Sequence, residues 1–274
     1  MRSFILKFSG VGNVRKMDKS CGFQFQWPFP KNPNALYRLA SKATLISVLS
    51  ACKLIFSLII NKNQLLSALE NKSRPLITVS NHRSNMDDPL VWCLFTWREF
   101  FYNISRFRYT LAAHNICFTK ACLLIIVLSP LIFLVFFFLK KKPLCRPGVY
   151  QKGVDFCIEK LAENQWIHVF PEGKVTPTPI RIKWGVARMI MESPNPPILL
   201  PIWIHQMAEV WPQSKPYYPR VGKHVIIIIG SKVDMKEHMW RFCTGSVPER
   251  RKALADFVQK KLFDLGAEIE QIKL

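Results

Sequence analysis

The sequence predicts an α/β domain with a largely parallel sheet flanked by helices. Two observations carry this. First, four short apolar runs have strand length and β-branched content: 76–79, 166–170, 198–204 and 225–229. Second, apolar residues recur at helical spacing elsewhere. Val154, Cys157, Ile158 and Leu161 lie between the first two strands, and Leu254, Phe257, Val258, Leu262 and Leu265 lie near the end. Pro248 stands near the start of the last helix, a position that proline tolerates. Strands alternating with helices favour parallel pairing.

Taken from the N-terminus, residues 1–26 form an extension carrying Arg2, Lys7, Arg15, Lys16 and Lys19 against a single acid, Asp18. With Phe4, Ile5, Leu6 and Phe8 interleaved, it reads either as a mitochondrial transit segment or as a floppy leader. Trp27-Pro28-Phe29-Pro30 ends it with two prolines that forbid a continuous helix. The main domain is expected over 27–265, with a tail at 266–274. Within it, Thr44 to Ile60 is nearly uncharged apart from Lys53, is marginal in length for a span, and reads as an interfacial helix whose lysine snorkels. Ala121 to Leu139 carries no charge, contains Phe136 to Phe138, is broken by Pro130 and is followed by Lys140 to Lys142. It either crosses a bilayer or enters and leaves one face as a hairpin turning at Pro130. The hairpin is the expected form, because a single crossing would separate His82 from Glu172.

Charge and apolarity point the same way. Lys and Arg number 39 against 18 Asp and Glu, for a net charge of +21 in 274 residues, yet 49% of the chain is hydrophobic. The mean hydropathy is +0.09. A basic tail would be far more polar, and nucleic acid would explain the charge but not the apolar excess. An anionic membrane face suits both, at roughly 1 kcal/mol per nearby Lys or Arg. The eight cysteines show no CxxC and no zinc spacing, so they read as reduced and mostly buried. There is no P-loop, no G-x-S-x-G elbow and no HExxH. His114, His168, His205, His224 and His238 make no ligand pattern.

Two loops carry chemistry-bearing residues. The first strand runs into Ser80-Asn81-His82-Arg83-Ser84-Asn85-Met86-Asp87-Asp88-Pro89, where Asp88 and Pro89 read as N-cap and first helical residue. His82 and Asp87 would lie about 140° apart on a regular helix, but they can meet in a tight loop. A carboxylate on one ring nitrogen leaves the other free to take a proton. The competing reading is a helix cap plus a satisfied loop histidine. The second loop is Phe170-Pro171-Glu172-Gly173-Lys174. Glu172 is a poor turn former, Gly173 permits positive φ, and Lys174 offers a cation sized for a phosphate. Alone, this pentapeptide is also compatible with an ordinary strand exit.

Together and in order, His82-x4-Asp87, Phe170-Pro171-Glu172-Gly173 and Pro197 to Ile202 resemble the glycerolipid acyltransferases of the H-x4-D type. Trp27 to Pro30, Leu76 to Asn81, Met86 to Pro89 and Cys117 to Lys120 resemble the branch of mitochondrial phospholipid–lysophospholipid transacylases. So do Val149 to Gly153, Phe170 to Val175, Lys183 to Gly185 and Pro216 to Arg220. The resemblance covers roughly residues 27 to 265. Where related enzymes often carry Thr or Ser after the glycine, Lys174 favours this branch. The apolar run between Lys120 and Pro143 and the segment before Trp27 depart from the family pattern.

The resemblance implies a glycerolipid-acyltransferase-like sheet with membrane-associated apolar segments. It makes His82 the general base, Asp87 its orienting partner, and Arg146, Glu172 and Gly173 contacts to the acceptor, with Lys174 beside them. It implies no cofactor, direct acyl transfer without an acyl-enzyme, a phospholipid donor and a lysophospholipid acceptor. The acceptor and product expected from it are monolysocardiolipin and cardiolipin. The partner surface is an anionic mitochondrial membrane, outer or inner, facing the intermembrane space and bound peripherally or monotopically, with no nucleic acid. The alternatives are an acyl-CoA-dependent acyltransferase using the same residues and a catalytically silent basic lipid-binding protein.

Overall fold

The computed structural model describes residues 57–84, 86–88, 94–111, 148–212, 220 and 223–271, with short pieces between 34 and 46. In chain order these form β1 (Ser57–Ile60), α1 (Lys62–Glu70), β2 (Leu76–Ser80), α2 (Trp97–Asn103), β3 (Tyr109–Thr110), α3 (Lys152–Ala162), β4 (Trp166–Val169), α4 (Gly185–Glu192), β5 (Ile198–His205), α5 (Met207–Val210), β6 (Val225–Ile229), β7 (Val233–Asp234), α6 (Met235–His238) and α7 (Val247–Gln271). One sheet runs β1-β6-β5-β2-β4-β3, with β7 also paired to β5. β2 sits at its centre, parallel to β4 on one side and to β5 on the other.

Strand alternation divides the core. On one face Leu76, Trp166, Leu200, Ile202 and Ile204 pack with Leu65 and Leu69 of α1 and with Phe95 and Phe100. On the other, Ile77, Val79, Ile167 and Leu199 pack against α3, α4 and the first half of α7 through Cys157, Leu161, Met189, Leu254 and Val258. A sheet covered on both faces explains why β2, β4, β5 and β6 read as nearly unbroken apolar runs. α2 starts on a capping box, in which the Thr96 hydroxyl takes the Glu99 N–H and Glu99 returns a bond to the Thr96 N–H.

Four of the six described pairings are parallel, so the sheet is largely parallel, but it is mixed around β5. β6 and β7 both run antiparallel to β5, and β1 follows β6. The four expected strands are all present, but the interfacial helix expected over 44–60 does not extend to its end. Residues 57–60 are β1, paired with β6 from Ser57↔Val225 to Ile60↔Ile228. α7 also continues through residue 271, so the start of the expected tail is helical. No helix among the described residues is long and apolar enough to cross a membrane. The extension 1–26, the run 121–139 and Arg146 lie outside the described residues.

Candidate active site

Both chemistry-bearing loops leave the same end of the sheet, because β2 and β4 are adjacent and parallel. Asn81 anchors the first loop. Its side-chain amide donates to the Ile204 carbonyl at 2.8 Å, and its oxygen accepts the Ile204 N–H at 2.8 Å. This two-way bond ties the end of β2 to β5 at the residue before His82. The chain then curls so that the Asp87 N–H donates to the Ser84 carbonyl, 3.2 Å away. Asp87 and Asp88 are already helical, so the helix opens two residues earlier than an N-cap at Asp88 implies.

The curl brings His82 and Asp87 together. Nδ1 of His82 lies 2.9 Å from Oδ2 of Asp87. The same oxygen accepts the backbone N–H groups of Arg83 at 2.6 Å and Ser84 at 2.8 Å. Asp87 is fully buried, and its other oxygen has no partner among the described residues. Burial pushes its carboxyl above the usual aspartate range, against the lowering effect of the bonds from His82, Ser84 and Arg83. The His82 ring is about one-fifth exposed and stacks on Phe170, with centroids 4.2 Å apart and planes 22° apart. Its Nε2 has no hydrogen-bond partner among the described residues. With Nδ1–H held by Asp87, Nε2 carries the lone pair and can accept a proton.

The second loop closes against the first. Thr176 N–H donates to the His82 carbonyl at 3.0 Å, and Gly173 N–H donates back to Phe170 at 3.0 Å. Arg83 forks onto Glu172, Nη1 to Oε2 at 2.7 Å and Nη2 to Oε1 at 3.0 Å. Among the described residues no group of three or more His, Cys, Asp or Glu could hold a metal ion.

Residues 61–205 match the sequence model of the Acyltransferase family. Over 265 residues the chain is 36% identical to the Tafazzin of Drosophila melanogaster, covering 91% of this chain and 67% of that protein. The chain belongs to the tafazzin family of acyltransferases. It is also 36% identical over 169 residues to the N-acylphosphatidylethanolamine synthase of Arabidopsis thaliana, covering 58% of this chain and 56% of that protein. The chain thus spans between about half and two thirds of the length of these relatives. Among solved structures, the 1-acyl-sn-glycerophosphate acyltransferase PlsC of Thermotoga maritima superposes with a TM-score of 0.51 at 18% identity, over 87% of this chain and 85% of that one, and so shares the fold.

In this member of the tafazzin family, then, His82 and Asp87 are in contact, and Phe170 to Thr176 lie alongside them. Glu172 is not open to solvent: it is fully buried under Arg83. Gly173 has φ +69°, and the Lys183 side chain lies across it where a Cβ would stand 2.6–2.8 Å away. Lys174 is exposed at the loop surface.

Three residues of the site escaped the sequence reading. Asn81 had a usable signal, since a large amide at the end of a buried strand needs partners. Arg83 had none, as its partner lies 89 residues away. His168 carries no pattern in the sequence that marks it. It is fully buried, with Nδ1 2.8 Å from the Thr78 hydroxyl and Nε2 3.2 Å from the Ser80 hydroxyl. Its ring meets the Phe170 ring edge-on at 4.7 Å. Burial first, then electrostatic repulsion from Arg108 and from any charge on His82, hold His168 well below the usual histidine range and so neutral.

Proposed function

We propose that this chain transfers a fatty acyl group from a phospholipid to a lysophospholipid without coenzyme A, with His82 as the general base. The observation that supports this most directly is the Nδ1–Asp87 bond, which leaves Nε2 as the proton acceptor. Nε2 takes the hydroxyl proton of the lysophospholipid as its oxygen attacks the ester carbonyl carbon of the donor. The buried Asp87 carboxylate stabilises the imidazolium that forms. Collapse of the tetrahedral intermediate breaks the donor's ester bond, and the departing glycerol oxygen takes the proton back from Nε2. One ester is broken and one is made, so no cofactor is consumed. General-base assistance of this kind contributes about 10²–10⁴-fold.

The specific substrates within this reading are monolysocardiolipin as acceptor and cardiolipin as product, on a mitochondrial membrane facing the intermembrane space. Arg146 and Lys174 would meet the acceptor's phosphate. Attachment is peripheral or monotopic, through the basic surface and the apolar run 121–139.

The test is purified protein in anionic vesicles containing a labelled phospholipid and a lysophospholipid, with no coenzyme A. The wild type is expected to move label to the lysophospholipid, and a folded His82→Ala variant to retain under a hundredth of the rate. Transfer that requires added acyl-CoA would replace the donor in this reading. Lipid binding without transfer from any donor would overturn it. An arm with phosphatidylethanolamine as acceptor tests the nitrogen acyl acceptor suggested by the name of the Arabidopsis relative.

A further inference from the structure

The family resemblance assigns Glu172 to the acceptor, but its surroundings leave it little capacity for that. Its side chain is fully buried. Oε1 receives Arg83 Nη2 at 3.0 Å, and Oε2 receives Arg83 Nη1 at 2.7 Å with the Thr176 hydroxyl 3.1 Å away. To reach a lipid hydroxyl or phosphate, Glu172 would have to abandon a half-buried guanidinium, which is a severe cost when an ion pair is broken on one side only. A bare carboxylate would also repel a phosphate.

Arg83, by contrast, touches both loops that frame the base. Its backbone N–H donates to Asp87. Its Nη1 reaches the His82 carbonyl at 3.3 Å and Thr176 through the carbonyl at 3.3 Å and the hydroxyl at 3.2 Å. Its guanidinium lies 5.7 Å over the Trp203 ring on β5. One residue therefore ties the His82 loop to the Glu172 loop and to the sheet.

Resting on the acyl-transfer reading above, we infer that Glu172 is a positioning residue acting through Arg83. The pair clamps the two loops so that His82 keeps its geometry, and Glu172 does not contact the acceptor.

The test compares wild type, Arg83→Gln, Glu172→Gln and the double variant. Each single change is expected to lower kcat about 10–100-fold, as loss of positioning does, while the acceptor KM stays within about two-fold. The double variant is expected to be no worse than the poorer single one, since either change already opens the clamp. A multiplicative loss in the double variant, or a tenfold rise in KM for Glu172→Gln with kcat kept, would overturn the clamp.

A readout independent of turnover is the downfield proton resonance of His82 Nδ1–H, identified by its absence in His82→Ala. It is expected in wild type and broadened by water exchange in both single variants. An unchanged resonance in Glu172→Gln overturns the proposal even if no acyl transfer is found. If wild type shows the resonance but no transfer, the function fails and the clamp is still decided. Should Arg83→Gln not fold, Arg83→Lys keeps the charge, loses the fork, and carries the same expectations.

Discussion

Replacing Asp87 by Asn should move activity and stability in opposite directions. The carboxylate accepts three hydrogen bonds on Oδ2, at 2.6, 2.8 and 2.9 Å, while Oδ1 is buried without a partner among the described residues. Burial outweighs those bonds and raises the carboxyl's pKa above its ordinary 3.8. An acid raised in the folded state contributes stability that is present below its unfolded pKa and lost as pH rises through the folded one. Above its raised pKa, ionised Asp87 therefore detracts from folding. Asn removes the charge, keeps the shape and leaves one oxygen for the Arg83 and Ser84 N–H groups. A gain of about 1 kcal/mol corresponds to roughly 2–4 °C in Tm for a chain of this size. Catalysis should fall about 10²–10⁴-fold, because the tautomer is no longer enforced and the imidazolium loses its counter-charge. The assay is a thermal melt paired with the vesicle transfer rate at pH 7.5. Repeating the melt at falling pH should close the gap as wild-type Asp87 takes up its proton. A Tm more than about 4 °C below wild type, or activity above a tenth of it, would refute the reasoning.

Three further outcomes are expected. The stability that neutral His168 contributes is complete above its ordinary pKa of 6.5 and is lost as pH falls below it, by at most about 1.4 kcal/mol per pH unit. Urea unfolding from pH 7 to 5 should thus show a shallower loss for His168→Gln, and equal slopes would contradict the assignment. Arg106→Met should cost about 3 kcal/mol or more in denaturant unfolding, because the buried guanidinium satisfies the carbonyls of Leu69, Asn71, Arg74 and Asn164. High salt should release only part of the protein from anionic vesicles and detergent all of it, since charge is screened over about 8 Å and apolar burial is not. Complete release by salt alone would remove the apolar contribution.

The sequence made the central sheet legible because strands buried on both faces are apolar without interruption. β2, β4, β5 and β6 all stand where such runs occur. β1 was hidden inside a longer apolar run, where four residues of strand cannot be told from helix by periodicity. β3 and β7 have two residues each, too few to carry any pattern. The antiparallel direction of β6 against β5 was not legible, since the chain between them does not fix how they pair. In the site, the five-residue spacing of His82 and Asp87 was informative because only a tight loop lets them meet. The burial of Glu172 was not, because the cation that permits it comes from a distant segment and no local residue announces it.

The two buried carboxylates of the site make different contributions for a reason that distance alone does not reveal. Both Asp87 and Glu172 are inaccessible to solvent. Glu172 faces a guanidinium that is charged before, during and after any reaction, so its pairing energy is the same at every stage and cannot lower a barrier. In the proposed mechanism Asp87 faces the ring that accepts the proton. Its negative charge sits in a low-dielectric pocket without a full counter-charge in the resting enzyme, and it gains one only as His82 becomes imidazolium. The attraction therefore appears where the barrier is highest and is absent in the ground state. In the mechanism proposed above, that difference makes Asp87 part of the proton transfer and Glu172 part of the frame around it.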